Sequence, residues 1–208
     1  MIKITRATPK AYRYACMNFH YAKAVPTASH AYNVYQNGIW CGCIIFGSGA
    51  TPHIGSSFGL VQGEILELVR VALNGKQKTT SRCLAAALRQ LRKDAPAVKM
   101  VVSYADADQN HLGTIYQATN WIYLGLTNAG VRGAFVVRGQ RMHPKTVHSK
   151  GWAQNIDWLK KNVDPKAKEF FTKGKRKYIM CFDKKLRKHW MAKSLPYPKN
   201  IETKYRNK

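Results

Sequence analysis

The chain has 208 residues, 45% of them hydrophobic and 11% aromatic, enough for one sizeable core and incompatible with global disorder. Thirty-five Lys and Arg stand against ten Asp and Glu, a formal charge of +25; on a folded chain so large an excess of one sign points to a polyanionic partner, nucleic acid above all. No apolar run approaches the roughly 20 residues that span a bilayer, and residues 1–6 read as a strand rather than as a secretion signal, so no membrane is expected.

In chain order, residues 2–6 form the first expected strand. Thr8 then caps a helix that opens on Pro9, where a missing N–H costs nothing, and runs to about Tyr21. Residues 32–36 and 39–46 flank Asn37-Gly38, a dipeptide suited to a tight hairpin turn. A Gly/Ser-rich loop follows, and then residues 65–73, whose nearly continuous apolar character marks a central strand. The polar turn 74–81 leads into a helix over 82–93 with the apolar stripe Leu84, Ala87, Leu88 and Leu91; Ser81 or Thr80 is its natural N-cap. Residues 98–104 are a second buried strand, 111–119 a short helix and 121–126 another strand. This order predicts an α/β fold with a mixed sheet and a parallel centre.

From about residue 128 the character changes. Residues 141–208 hold twenty Lys and Arg against five acids, about three times the charge density of residues 1–140. Trp152, Trp158, Phe170 and Phe171 are interleaved there, and a disordered tail would not carry them. The expected organisation is a core over 1–127, a folded basic insertion over 128–175, a returning strand with a C-terminal segment over 176–200, and a loose tail over 201–208. Arg132, Arg138, Arg141, Lys145 and Lys150 in the insertion are candidates to meet phosphates, contacts that give affinity rather than sequence choice. Five scattered cysteines in apolar contexts read as buried, reduced thiols, and neither they nor the seven histidines show metal-ligand spacing, so no metal is expected.

The strand, polar loop and helix over 65–93, the tyrosine-bearing His111-Leu112-Gly113-Thr114-Ile115-Tyr116-Gln117-Ala118-Thr119-Asn120-Trp121, and the strand after it resemble the GNAT N-acyltransferase fold. That resemblance implies that backbone N–H groups at the N-terminus of the 82–93 helix hold the pyrophosphate of an acyl-coenzyme A-like donor. The loop Gln77-Lys78-Thr79-Thr80-Ser81-Arg82 lacks the glycines of the GNAT pattern, however, which leaves the donor unidentified, with Lys78, Ser81 and Arg82 able to supply contacts of their own. A closer resemblance, over most of residues 1–200, is to the Mom proteins of Mu-like phages. It rests on Asn18-Phe19-His20-Tyr21, Glu67-Leu68-Val69-Arg70, Ser103-Tyr104-Ala105-Asp106, Gly113-Thr114-Ile115-Tyr116-Gln117-Ala118 and Leu195-Pro196-Tyr197-Pro198-Lys199. It implies a GNAT-like core with a basic insertion before the last strand, acting on double-stranded DNA in the host cytoplasm. The implied reaction converts the N6 amino group of adenine to a carbamoylmethyl, acetamido-like derivative that blocks host restriction.

Each candidate site residue has two readings. Asp106 is a turn-forming carboxylate or, as the resemblance implies, the group that engages the exocyclic amine of an extruded base. Tyr116 is a core aromatic by periodicity and a general acid by resemblance. Arg70, in an apolar strand, either pairs with Glu67 or Glu64 or holds an anionic group of the donor. Ser81 caps a helix and binds an anion by the same geometry. His20 and Tyr21 close the first helix, and the resemblance places both in the site beside Ser103, with Tyr21 stacking on the base. A conventional GNAT acting on a protein or small amine and a non-enzymatic basic DNA-binding protein are the rival expectations.

Overall fold

Thr8 Oγ1 accepts the Ala11 N–H at 3.3 Å and Pro9 fills the first helical position, so strand β1 (Ile2–Arg6) turns directly into helix α1 (Pro9–Phe19). Asn37 and Gly38 take φ of 51° and 82°, the left-handed pair a two-residue turn demands, and join β2 (His30–Gln36) to β3 (Ile39–Gly47). The computed structural model describes residues 1–49, 51 and 53–199. The expected loose tail, 201–208, lies outside the described residues.

Next come β4 (Ile65–Leu73), antiparallel to β3, then α2 (Thr80–Asp94), then β5 (Met100–Asp106), which pairs parallel to β4. The short α3 (Thr114–Gln117) and β6 (Ile122–Thr127) follow. Neighbouring residues on a strand face opposite sides. Ala31 packs with Ala15 and Cys16 of α1, whereas the Tyr32 hydroxyl donates to Asp94 at the end of α2, so the two helices cover opposite faces of the sheet. Helix α2 starts two residues earlier than its apolar stripe suggests. Thr79 is the N-cap and makes no side-chain capping bond, Thr80 is held by the Gln77 side chain, and Ser81 lies inside the first turn instead of capping it.

By contact the chain divides into two compact units. The larger comprises Met1–Tyr104, Gly113–Gly125 and the segment from Lys177 onward; the smaller comprises Ala105–Leu112 and Leu126–Arg176. In the smaller unit β7 (Arg132–Val137) pairs antiparallel with both β8 (Gln140–Met142) and β9 (Lys168–Phe171), and α4 (Pro144–Ser149) and α5 (Ile156–Asn162) complete it. Its core is Phe135, Val137, Val147, Leu159 and Ala167, with Trp152 packed against it. The basic stretch therefore carries its own apolar centre. The chain returns through β10 (Lys175–Cys181), which enters the main sheet between β5 and β6 to give the order β1-β2-β3-β4-β5-β10-β6. Asp183 then caps the basic helix α6 (Lys184–Met191), whose Leu186 and Trp190 pack on the core.

This is the expected α/β architecture, a mixed sheet with a parallel pair at its centre and an insertion ahead of the returning strand. All five cysteines are free and buried, and burial pushes the thiols of Cys43 and Cys181 up to about 12 and about 11. Among the described residues, no helix is long and apolar enough to cross a membrane.

Candidate active site

The register between β3 and β4 steps from Ile45↔Arg70 to Phe46↔Leu68, which leaves Val69 as the extra residue of a β-bulge. On the other side of β4, the ladder to β5 runs from Ile65↔Met100 to Glu67↔Val102, short of the C-terminal ends of both strands. A side chain takes over where that ladder stops. Ser103 Oγ lies 2.9 Å from the Leu68 carbonyl oxygen and 2.8 Å from Tyr116 Oη.

Tyr116 is delivered to this point by α3. The helix begins after Gly113, whose φ is +76°, and a Cβ there would come within 2.5 Å of the Tyr178 ring and 2.9 Å of the Tyr116 ring. Glycine thus allows the two tyrosines to pack with centroids 5.0 Å apart, and Trp121 closes on Tyr116 from 5.1 Å. Behind them the Leu195-Pro196-Tyr197-Pro198 segment is fastened to the core. The Leu195 N–H donates to the Tyr123 carbonyl, the Tyr197 hydroxyl to the Trp121 carbonyl and the Gln117 amide to the Pro198 carbonyl.

Burial pushes the Tyr116 phenol up to about 12; the Ser103 hydrogen bond opposes the shift, and Tyr21, Glu67 and Tyr178 add to it. At neutral pH this phenol keeps its proton and can only donate it. Tyr104, on β5, is raised by burial and then by Glu67. Glu67 is therefore the carboxylate whose field reaches both Tyr104 and Tyr116. From sequence Glu67 stands in the Glu67-Leu68-Val69-Arg70 motif and as a partner for Arg70, while an acid inside an apolar central strand, one of ten in the chain, is the signal that it does more. Helix α1 stops at Phe19, and His20 and Tyr21 follow with rings 4.4 Å apart. His20 Nδ1 accepts the Ala22 N–H, and Tyr21 is 54% exposed.

The larger unit thus brings Tyr21, Glu67, Ser103, Tyr116 and Tyr178 within mutual influence. Arg70 is placed differently. Its Nη1 donates to the Val69 carbonyl at 2.7 Å, its Nε is buried without a partner, and its charge acts on Cys16 of α1. Of its two expected partners, Glu64 is taken by Lys99, because the Glu64 carbonyl accepts the Lys99 N–H and holds that residue alongside.

In the loop before α2, the N–H groups of Lys76 and Lys78 are already engaged by the side chains of Asn74 and Gln36. The first turn of α2, where N–H groups have no intrahelical partner, carries Ser81 and Arg82 and is the part of this segment able to receive an anion.

Asp106 belongs to the smaller unit. Its carboxylate accepts the Asp108 N–H and caps the turn Ala107–Gln109, which is the turn-forming role weighed from sequence. Asp108 is the more deeply held acid, bonded to Arg141, Thr172 and the Lys173 N–H. The candidate phosphate contacts of this unit have local partners as well. Arg132 pairs with Glu169 and lies over Phe135, Arg141 pairs with Asp108 and lies over Phe170, and Arg138 Nη2 donates to the Val163 carbonyl. Lys150 lies over Trp152, and Lys145 is exposed on α4. Among the described residues no three His, Cys, Asp or Glu side chains are grouped to hold a metal ion.

The chain is similar to the methylcarbamoylase mom of Escherichia phage Mu, with 25% identity over 189 residues, covering 86% of this chain and 76% of that one. Among solved structures it is similar to the ribosomal-protein-S18-alanine N-acetyltransferase from Escherichia coli, with 10% identity, a TM-score of 0.49 and coverage of 88% and 95% of the two chains. An N-acetyltransferase from Staphylococcus aureus Mu50 gives 12% identity, a TM-score of 0.45 and coverage of 88% and 99%. The family model described as the Mom protein family matches residues 1–199, and the chain belongs to that family.

Proposed function

We propose that this chain modifies DNA, converting the N6 amino group of adenine to a carbamoylmethyl, acetamido-like derivative in double-stranded DNA within the host cytoplasm. The observation that carries the reading is the buried phenol of Tyr116, held protonated and joined through Ser103 to the opening where β4 and β5 cease to pair. Family membership, the methylcarbamoylase named for the phage Mu relative and the charge of +25 support it.

The chemistry needs three things of the protein. The adenine must leave the stack, since its amino group is paired inside a duplex, and exposed Tyr21 offers it a ring to rest on. As N6 forms its new bond to carbon, the amine must lose a proton, a task assigned to the Asp106 carboxylate. The group that departs from the donor carbon must gain one, which Tyr116 supplies. Ser81, Arg82 and Lys78 hold the donor's anionic part, and Arg70, with a buried unpartnered N–H, takes a further acceptor on it.

Mass spectrometry of nucleosides from DNA of cells producing the protein tests the reading. The expected result is a modified deoxyadenosine heavier by the carbamoylmethyl group. Asp106→Ala and Tyr116→Phe should each lower its yield by about 100-fold or more. Unmodified adenine in cells that contain abundant soluble protein would overturn the reading.

A further inference from the structure

Along α2, Arg82, Ala85, Arg89 and Arg92 recur at three- and four-residue intervals and share one face of the helix. That face is one wall of an open groove of about 420 Å³ in the larger unit. Leu88 and Cys181 lie in the groove, and Thr119 and Asn120, just after α3, form the opposite wall. Arg187 of α6 donates to the Asn120 carbonyl and brings a fourth guanidinium to that wall.

The charge here is unbalanced in a way a solvated helix does not require. Among the described residues no carboxylate lines the groove. Asp94, the sole acid of α2, is held by Arg6, Gln90 and Tyr32, and Asp183 caps α6. Exposed helix faces ordinarily interleave acids and bases four residues apart, and α2 has no such pair among its exposed positions. Arg82 stands in the first turn, where the helix dipole disfavours a cation, with no acid beside it. Arg82, Arg89 and Arg92 are exposed and form no hydrogen bond or ion pair among the described residues.

We infer that this groove is a track for the DNA backbone, in which Arg89 and Arg92 of α2 meet phosphates of one strand beyond the donor anion held at Arg82. The inference rests on the DNA reading above and assigns backbone contact to the larger unit, since Arg132 and Arg141 of the smaller unit are already engaged in ion pairs. Length decides the occupant. The ten residue steps of helix from Arg82 to Arg92 cover about 15 Å. Phosphates of one duplex strand recur every ~3.4 Å along its axis, so the stripe spans about four of them, whereas one pyrophosphate would leave Arg89 and Arg92 unmet. Guanidinium also suits the purpose, because its planar fork grips phosphate with two hydrogen bonds.

The test is duplex DNA binding by the whole chain across a series of salt concentrations, for the wild type, Arg89→Ala/Arg92→Ala and Arg89→Lys/Arg92→Lys. Neither position belongs to the proposed donor or catalytic residues. The alanine pair should reduce the slope of log affinity against log salt by about two, and the lysine pair should restore most of it, which separates lost charge from lost structure. A wild type that binds DNA while the alanine pair keeps its full slope would overturn the track and leave the DNA reading standing. A wild type that ignores duplex DNA at low salt would overturn the DNA reading itself. Inorganic pyrophosphate protecting the wild type against thermal unfolding, but not the alanine pair, with the DNA slope unchanged in that pair, would reassign the groove to a small anion.

Discussion

Asp108 shows what a single side chain holds together in this protein. Its carboxylate is 5% exposed. Burial pushes it up, yet the Lys173 N–H, Arg141 and Thr172 together hold it below the usual carboxylate range. A carboxylate depressed in the folded state contributes stability above its unfolded value, and that contribution drains away as pH falls through the folded value. The smaller unit should therefore weaken below about pH 4. Asp108→Asn should cost it about 2 kcal/mol at pH 7 and flatten the acid limb, as read by thermal unfolding between pH 3 and 7. The sequence alone draws attention to Asp106 and not to Asp108, because the partners that engulf Asp108, Arg141 and Thr172, lie 33 and 64 positions away. Glu67 escaped for a related reason. Its influence on Tyr116 exists only once α3 has been laid across the ends of β4 and β5.

At the level of elements, signals confined to a few adjacent residues were readable and those requiring a second strand were not. Thr8-Pro9 and Asn37-Gly38 each carry their conformation in their own covalent structure, and both behave as expected. The bulge at Val69 depends on how β3 and β4 slide past each other, and nothing in 65–73 alone announces it. The end of α1 matters for the site, because His20 leaves helical angles (φ −112°, ψ 136°) and thereby frees Tyr21 from the helix. The β7–β8 turn presents a contrast. It places Arg138 at φ 51° before Gly139 at φ 73°, although arginine tolerates the left-handed region worse than asparagine. Arg138→Asn should therefore stabilise the smaller unit by about 0.5–1 kcal/mol, measurable as a raised denaturant midpoint with an unchanged slope.

Across the whole molecule the charge is distributed more evenly than the linear sequence suggests. The larger unit carries a net +18 over 149 residues and the smaller +7 over 59, the same density in each. The dense C-terminal third dissolves because α6 and the segment after it fold back onto the larger unit. With four ion pairs among the described residues, most of this charge repels itself. Raising salt from 0.05 to 0.5 M should accordingly increase the melting temperature while it weakens DNA binding, an opposition that thermal scans and binding isotherms on one preparation would reveal; a melting temperature that falls with salt would refute the self-repulsion account. The buried thiols bear on the same global balance. A sulfhydryl reagent reacts with exposed thiolate, and in the native fold all five cysteines are buried, with burial also raising the thiols of Cys16, Cys43, Cys83 and Cys181. The chain thus contains five native reporters of its own opening, silent while the sheet is intact and audible, one strand or helix at a time, as it comes apart.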